Sequence, residues 1–219
     1  MVQIGTLAGR DMSAVISDMD QPLGYAVGNA LEVKEAIATL NGNGPEDLRE
    51  LVLVLTSLMV VKAGKAKDIR EARILLEETL DSGKALQVMK EWIVAQGGTA
   101  EEVEHPDLLP QALCQEAVCA EKSGFVTKIH TEEIGRICML LGGGRAKKGD
   151  PIDLSVGLVL RKKVGDPVHS GESLAILHAN DREKLAEAKE RLLKAYEIKK
   201  EPVAVRPLIW EILDGTEAE

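Results

Sequence analysis

The stretch from Met12 to Leu40 constrains the fold of this chain most, because it joins an apolar β-prone run, a tight loop and a helical pattern. Residues 12–17 are mostly apolar, which predicts a strand buried on both faces, as in a parallel sheet. Residues 18–24 contain Asp, Gln, Pro and Gly, which are typical of a loop. The pattern from Gly28 onward predicts a helix with Asn29 as its N-cap.

Three more helices are predicted between Pro45 and Ala95. The first begins at Pro45, a favoured first-turn residue, and has one apolar face with i, i+3, i+4 spacing. That face consists of Leu48, Leu51, Val52, Leu55, Leu58 and Met59. Because the other face is apolar as well, we expect this helix to be buried nearly all round. Residues 69–80 and 85–95 predict two amphipathic helices, separated by the Asp81-Ser82-Gly83 turn.

A domain boundary is predicted between Gln96 and Pro110, where a Gln-Gly-Gly-Thr sequence is followed by an acidic stretch. We therefore divide the chain into residues 1–110 and residues 111–219. The second part differs from the first because short strand patterns replace long helical ones. Those strands are expected over residues 125–130, 154–160 and 174–178.

Two helices are also expected in the second part of the chain. Thr131 is the predicted cap of the first, which ends at Gly142. Asn180 is the predicted cap of the second, which runs to about Tyr196. Residues 207–213 predict a final extended segment, and residues 214–219 predict a frayed tail.

Charge and composition argue against several classes of partner. The net charge is −9 and aromatic residues make up 2% of the chain, so we expect no nucleic-acid partner. No apolar stretch approaches the roughly 20 residues that span a bilayer, so we expect no membrane insertion. Cys114, Cys119 and Cys138 are odd in number and lack CxxC spacing, which predicts reduced thiols in a cytoplasmic protein.

The loop at Leu23 and the helix that follows it hold the best candidate for a ligand site. A Pro-Leu-Gly turn can aim backbone carbonyls inward, and Glu35 on the helix can close the site with a carboxylate. Oxygen ligands of these two kinds suit a hard cation. The alternative is a plain loop with Glu35 in a surface ion pair, and the local chemistry leaves both interpretations open.

Two glycine-containing stretches predict structural roles. Residues 142–148 combine glycines with basic residues, but they follow a helix, whose C-terminal end disfavours anions, so we expect a helix cap. Residues 164–174 resemble the turns of biotinyl- and lipoyl-carrier domains. Since no Met-Lys-Met or Asp-Lys-Ala triplet follows, a structural hammerhead is expected rather than a swinging arm.

The four histidines lack metal-ligand spacing such as HExxH, so ordinary surface or hydrogen-bonding roles are expected for them.

Seven motifs occur in a fixed order along nearly the whole chain. The longest covers residues 17–36, Ser-Asp-Met-Asp-Gln-Pro-Leu-Gly-Tyr-Ala-Val-Gly-Asn-Ala-Leu-Glu-Val-Lys-Glu-Ala. The others are Gly44-Pro45-x-Asp47-Leu48, Ala95-Gln96-Gly97-Gly98, Leu141-Gly142-x-Gly144-Arg145-Ala146-Lys147-Lys148, Ile152-Asp153-Leu154-x-Val156-Gly157, Leu174-Ala175-x-Leu177-His178 and Pro207-Leu208-Ile209. In this order they resemble the pyrimidine-nucleoside phosphorylases, relatives of thymidine phosphorylase.

The resemblance implies an α/β plus α+β fold. Residues 1–110 would form the second half of a central α/β sheet domain. Residues 111–219 would form a C-terminal α+β domain with a barrel-sandwich or hammerhead-like part. The implied activity is that of a cytoplasmic glycosyltransferase, more narrowly a pentosyltransferase. It cleaves uridine or thymidine with inorganic phosphate, giving the free pyrimidine base and ribose or deoxyribose 1-phosphate, and the family form is a homodimer.

The resemblance also implies a potassium ion as cofactor. The family's potassium site uses backbone oxygens and a Glu that correspond here to Leu23, Ala26 and Glu35. The rest of that site, the Lys-His-Ser-Thr-Gly-Gly phosphate motif and the Arg, Ser and Lys that hold the pyrimidine are not found. We therefore assign no catalytic and no substrate-binding residue. The Gln21-Pro22-Leu23-Gly24 form favours the pyrimidine-nucleoside type over the bacterial thymidine-specific type.

We therefore expect a chain that is inactive alone and that derives from a gene fragment, a split gene or a misplaced start. One alternative is a working two-chain enzyme, completed by a separately encoded N-terminal half. The other is a non-enzymatic scaffold or binding module that kept the C-terminal fold. The intact segment from Leu23 to Glu35 favours the split enzyme, whereas the missing phosphate and base ligands favour the scaffold.

Overall fold

Helices and short strands are mixed along the chain in the computed structural model, which describes residues 1–215 of the 219. The helices are α1 (Val2–Leu7), α2 (Asn29–Leu40), α3 (Glu46–Lys62), α4 (Ile69–Asp81), α5 (Lys84–Ala95), α6 (Ala100–Glu104), α7 (Thr131–Leu141) and α8 (Arg182–Ala195). The strands are β1 (Ser13–Ser17), β2 (Ala26–Val27), β3 (Cys114–Cys119), β4 (Gly124–Ile129), β5 (Gly157–Leu160), β6 (Pro167–Val168), β7 (Ser173–Ala179), β8 (Tyr196–Lys199) and β9 (Ile209–Asp214). None of the helices within residues 1–215 is long and apolar enough to cross a membrane.

Three small sheets organise the strands. One sheet has the order β2-β5-β7-β3, a second has the order β6-β4-β8, and a third contains only β1 and β9. Every pair within residues 1–215 is antiparallel. The architecture is therefore mixed helix and strand with small antiparallel sheets, in agreement with the α+β part of the predicted fold class.

The main hydrophobic core lies in the second part of the chain. The strands β3, β4, β5 and β7 pack with α7 and α8 around side chains that are fully buried. Leu158 and Leu177 come from the four-stranded sheet, Ile137 from α7 and Leu192 from α8, and each is 0% exposed. Burial of these aliphatic side chains is what holds the second part together, since aromatic residues are scarce.

The predicted strand over residues 12–17 forms, but the prediction that it is buried on both faces, as in a parallel sheet, is wrong. This strand is β1, and it pairs antiparallel with β9 from the other end of the chain, with Ser13 opposite Asp214. Ile16 is 45% exposed, so the strand is not buried on both faces. The reason is that an antiparallel ribbon can leave one face open to solvent, whereas the strands of a parallel sheet are covered on both faces.

The helix predicted from Pro45 also forms, as α3, but it is not buried all round. Leu53 and Leu58 are 1% and 9% exposed, and α3 packs on α4. Val52 and Leu55 are each 39% exposed, and Met59 is 67% exposed. These three residues recur at i, i+3 and i+7, so the exposed part of α3 is a continuous apolar stripe. The described chain covers only one side of this helix.

Three predicted N-caps are wrong, each by one residue. Gly28, with φ of 140°, precedes α2, and Asn29 is already helical. His130 precedes α7, and within residues 1–215 the Thr131 hydroxyl has no hydrogen-bond partner. Asp181 caps α8 by accepting from the backbone N–H groups of the second and third helical residues, whereas Asn180 lies one residue earlier.

Other predictions are confirmed with small changes in their bounds. The two amphipathic helices are α4 and α5, the strands over 125–130 and 174–178 are β4 and β7, and the final extended segment is β9. The predicted strand over 154–160 is shorter, because β5 begins at Gly157 and Leu154 is 50% exposed. The predicted boundary region contains α6, and the division at residue 110 stays a prediction. Of the predicted tail, residues 216–219 lie outside the described residues.

The antiparallel core predicts a large loss of stability when one of its leucines is truncated. We expect Leu177→Ala to lower the free energy of unfolding by about 2–5 kcal/mol, because it removes buried methyl groups and leaves a cavity. The matched control is Leu113→Ala, since Leu113 is 86% exposed. Its effect should stay within about 0.5 kcal/mol in the same urea titration. Equal losses in the two variants would contradict the assigned core.

Candidate cation site

The carboxylate of Glu35 folds back onto the loop that precedes its own helix. One oxygen, Oε1, accepts a hydrogen bond from Tyr25 N at 2.9 Å and another from Ala26 N at 3.0 Å. We call residues 21–26 the cation loop. Within residues 1–215 Glu35 makes no ion pair shorter than 4.0 Å, so the structure does not support the surface ion pair considered above.

The pairing of β2 with β5 directs the backbone N–H group of Ala26 toward Glu35. Leu160 N donates to Tyr25 O at 2.8 Å, and Ala26 lies opposite Val159. This makes Ala26 and Val159 a non-hydrogen-bonded pair, whose N–H and C=O groups point away from the partner strand. The N–H group of Ala26 accordingly reaches Glu35, and its carbonyl lies on the same side of the strand.

Gly24 provides the space that the Glu35 carboxylate occupies. Its φ is 65°, in the left-handed region that favours glycine. A Cβ atom at this position would lie 2.1 Å from Glu35 Oε2. The turn therefore needs glycine for its conformation and also for the close approach of the carboxylate.

A buried lysine that the sequence analysis did not single out closes the other side of the loop. Lys163 is only 9% exposed, and its ammonium group lies 2.8 Å from Asp47 Oδ2. It also donates to the carbonyl of Pro22 in the cation loop. In the sequence Lys163 lies in a charged, turn-rich stretch, so no local signal distinguishes it from a solvated lysine.

Burial and charge shift the proton affinities at this site. Burial raises the pKa of Glu35 above its usual value, while the N–H groups of Tyr25 and Ala26 act in the opposite direction. Nearby Asp47 raises the pKa of Glu35 further, and Lys163 lowers it. Burial, followed by Asp47, also raises the pKa of Tyr25.

Two oxygen donors lie on the same side of the cation loop. Glu35 supplies a carboxylate, and the carbonyl of Ala26 lies on the same side as that carboxylate. Leu23 lies in the loop just before Gly24 and is 38% exposed. Oxygen donors of these kinds could hold a hard cation, and the assignment of Leu23, Ala26 and Glu35 as ligands stays a prediction. Nothing within residues 1–215 brings three His, Cys, Asp or Glu side chains together as metal ligands.

Two clefts lie near the cation loop. The smaller, of about 470 Å³, borders Tyr25, Ala26 and Glu35, and its rim carries Lys34 and Arg161. The larger, of about 880 Å³, lies between residues 18–21, the start of α7 and residues 203–206. Its charged side chains are largely paired, as in the contacts of Arg191 with Glu133 and of Arg206 with Asp20.

The glycine-rich residues 142–148 form the predicted helix cap. Gly142 ends α7 with φ of 111°, and Gly143 N donates to Cys138 O at 2.9 Å. Lys147 N donates to Asp150 Oδ2 at 2.8 Å, so the segment closes on itself as a turn. This arrangement agrees with a structural connection at a helix C-terminus.

The raised pKa of Glu35 predicts how stability changes with pH in potassium-free buffer. The folded state holds the proton more tightly than the unfolded state, whose carboxyl keeps its ordinary value of about 4.5. The contribution of Glu35 to stability is therefore present below that value and is lost as the pH rises through the folded pKa. We expect the unfolding free energy of the wild type to fall relative to that of Glu35→Gln as the pH rises from about 4 to about 7. Parallel pH profiles in urea titrations would contradict this assignment.

Two family models match separate parts of the chain. Residues 125–199 match the family described as the pyrimidine nucleoside phosphorylase C-terminal domain. Residues 1–86 match the glycosyl transferase family a/b domain. The two matches lie on either side of the predicted domain boundary.

Individual curated relatives carry the same family name. A pyrimidine-nucleoside phosphorylase of Geobacillus stearothermophilus is 51% identical over 211 residues, which is 96% of this chain and 48% of the relative. A pyrimidine-nucleoside phosphorylase of Bacillus subtilis is 58% identical over 180 residues, which is 82% of this chain and 42% of the relative. The corresponding protein of Staphylococcus aureus is 55% identical over 180 residues, with the same coverage. The chain thus spans about half the length of the curated relatives it matches, and it belongs to the pyrimidine-nucleoside phosphorylase family.

Proposed function

We propose that this chain carries the potassium-binding part of a pyrimidine-nucleoside phosphorylase. The observation that carries the proposal is the Glu35 carboxylate, which closes over the cation loop in the space left by Gly24. The named activity of the relatives supports it, since three of them are pyrimidine-nucleoside phosphorylases. The proposed substrates are uridine or thymidine and inorganic phosphate.

The proposed reaction transfers a pentosyl group to phosphate. An oxygen of inorganic phosphate forms a bond to C1′ of the sugar, while the bond from C1′ to the pyrimidine nitrogen breaks. The bonding electron pair leaves with the base, which takes up the proton that the attacking hydrogen phosphate loses. Charge develops on both the sugar and the leaving base, so catalysis depends mainly on electrostatic positioning.

Within that enzyme, the residues of this chain have a positioning role. Leu23 and Ala26 would hold potassium through backbone oxygens, and Glu35 would hold it through its carboxylate. The bound ion would supply positive charge that offsets the half-buried carboxylate. Without it, Glu35 relies on the N–H groups of Tyr25 and Ala26 for that compensation. The cation loop would thereby be fixed in a single conformation.

The surface of the first part of the chain supports completion by the other half of a phosphorylase. The stripe of Val52, Leu55 and Met59 on α3 is exposed, as is Ile16 on β1. An apolar helix face and a two-stranded ribbon are features that other elements usually cover. We propose that residues not present in this sequence cover them and supply the phosphate and base ligands.

A non-enzymatic scaffold or binding module is the second candidate. The observation that favours it is the core of the second part, whose buried residues all lie between Ala112 and Ile198. Such a core can persist without the phosphate and base ligands. This candidate predicts a folded chain that gains no activity from any partner.

We also propose four features of the fold, assembly and location of the protein. They are the hammerhead-like form of the second part, the division at residue 110, a homodimeric assembly and a cytoplasmic location. The three cysteines support the last of these, because none forms a disulfide.

Uridine phosphorolysis tests the proposal. We expect no turnover by the chain alone with phosphate and potassium. We expect turnover after mixing it with the part of the Bacillus subtilis relative that the chain does not match. Liberated uracil is the measured quantity, and the unmatched part alone is the control. Activity of the chain alone would contradict the missing-ligand account, and a folded mixture without activity would favour the scaffold.

A further inference from the structure

We propose that Lys163 is the positioning residue that couples the second part of the chain to the cation loop. Its ammonium group links β5 and the following turn to Pro22 in the loop and to Asp47 at the start of α3. The expected effect of Lys163 on potassium binding rests on the proposed function. The role of Lys163 in holding the loop in position is independent of that function, because it depends only on contacts within the chain.

The surroundings of Lys163 require its charge to be satisfied by the protein. The side chain is 11% exposed, and a buried ammonium group is strongly unfavourable unless it is paired and hydrogen-bonded. Its partners are Asp47 Oδ2 at 2.8 Å and the carbonyl of Pro22. The ammonium also lies 5.3 Å from the centroid of the Tyr25 ring, within cation–π range. All three partners belong to the first part of the chain.

Asp47 transmits this contact to the centre of the loop. The same oxygen that meets Lys163 accepts a hydrogen bond from Gly24 N at 3.1 Å. The other oxygen accepts from Leu48 N at 2.8 Å, within the first turn of α3. The carboxylate is therefore held by the helix N-terminus and in turn holds the residue whose missing Cβ makes room for Glu35.

The backbone that carries Lys163 is itself anchored. Lys163 N donates to Asp166 Oδ2 at 2.7 Å, and Gly165 N donates to Val126 O in β4 at 2.8 Å. Val164 N donates to the side chain of Gln21 at 2.9 Å, which fixes the first residue of the cation loop. Lys163 thus extends from a rigid turn, and it restrains the loop at Pro22 and, through Asp47, at Gly24.

Loss of the Lys163 ammonium group should increase the mobility of the cation loop while leaving the core of the second part intact. Asp47 and the Pro22 carbonyl would lose their shared donor, while the core between β5, β7 and the helices would keep its contacts. The geometry of Gly24, Ala26 and Glu35 would then fluctuate. We expect potassium to stabilise such a loop less effectively than it stabilises the intact one.

Hydrogen exchange of the full chain tests the positioning role. In Lys163→Met, amides in residues 21–27 should exchange about tenfold faster or more, while those of β7 should be unchanged. Lys163→Arg should restore slow exchange, because guanidinium keeps the charge and the donors. The control is Lys199→Met, since the Lys199 side chain is 67% exposed. Wild-type exchange of residues 21–27 in Lys163→Met would overturn the proposal.

A second variant covers the case in which Lys163→Met exchanges faster everywhere. Asp47→Asn keeps an oxygen that can accept from Gly24 N but removes the charge that pairs with Lys163. It should accelerate exchange in residues 21–27 and leave β7 unchanged. No acceleration, or acceleration of both segments alike, would overturn the proposed coupling.

Repeating the exchange in potassium chloride and in choline chloride, with the unmatched part of the Bacillus subtilis relative added to complete the cation site, separates this inference from the proposed function. In the wild type, potassium should slow exchange of residues 21–27, and the effect should shrink several-fold in Lys163→Met. An equal potassium effect in both proteins would overturn the coupling. A wild type that does not respond to potassium would overturn the cation site, whereas faster exchange in Lys163→Met would still support Lys163 as the positioning residue.

Discussion

The hydrogen bonds from the Tyr25 and Ala26 amides to Glu35 are the interaction on which the site depends. Through them, a carboxylate in the middle of α2 binds the backbone of a loop that lies nine and ten residues earlier in the chain. The closure requires a glycine at position 24, since a side chain there would occupy the place of the carboxylate. It also explains the raised pKa of Glu35, because burial outweighs the hydrogen bonds it receives.

The two parts of the chain contribute differently to this arrangement. The second part has a closed aliphatic core and supplies a hydrogen-bonded turn that begins at Lys163. The first part is a layer of helices and short strands with an exposed apolar stripe on α3. The site lies where the two meet, so its geometry depends on contacts between residues far apart in sequence. Lys163 and Asp47, for example, are separated by 116 positions.

Local patterns in the sequence predict the elements but not their partners. The helices α4 and α5 are correct because their amphipathic periodicity is strong, and β7 is correct because its apolar run is bounded by turns. Two of the three predicted caps, Asn29 and Asn180, are displaced because their side chains make long-range contacts instead. Asn29 donates to Gly143 O, and Asn180 donates to Asp153. The partner of β1 is equally invisible to local patterns, since β9 lies at the other end of the chain.

The most direct test of the cation site is a crystal structure of the chain grown with thallium in place of potassium, in the presence of the other half of the enzyme. The measured quantity is the position of the anomalous scattering peak. A potassium site at the cation loop predicts a peak in direct contact with the Glu35 carboxylate and the Ala26 carbonyl, and its disappearance in Glu35→Ala. A peak elsewhere, or a peak that persists unchanged in Glu35→Ala, would contradict it.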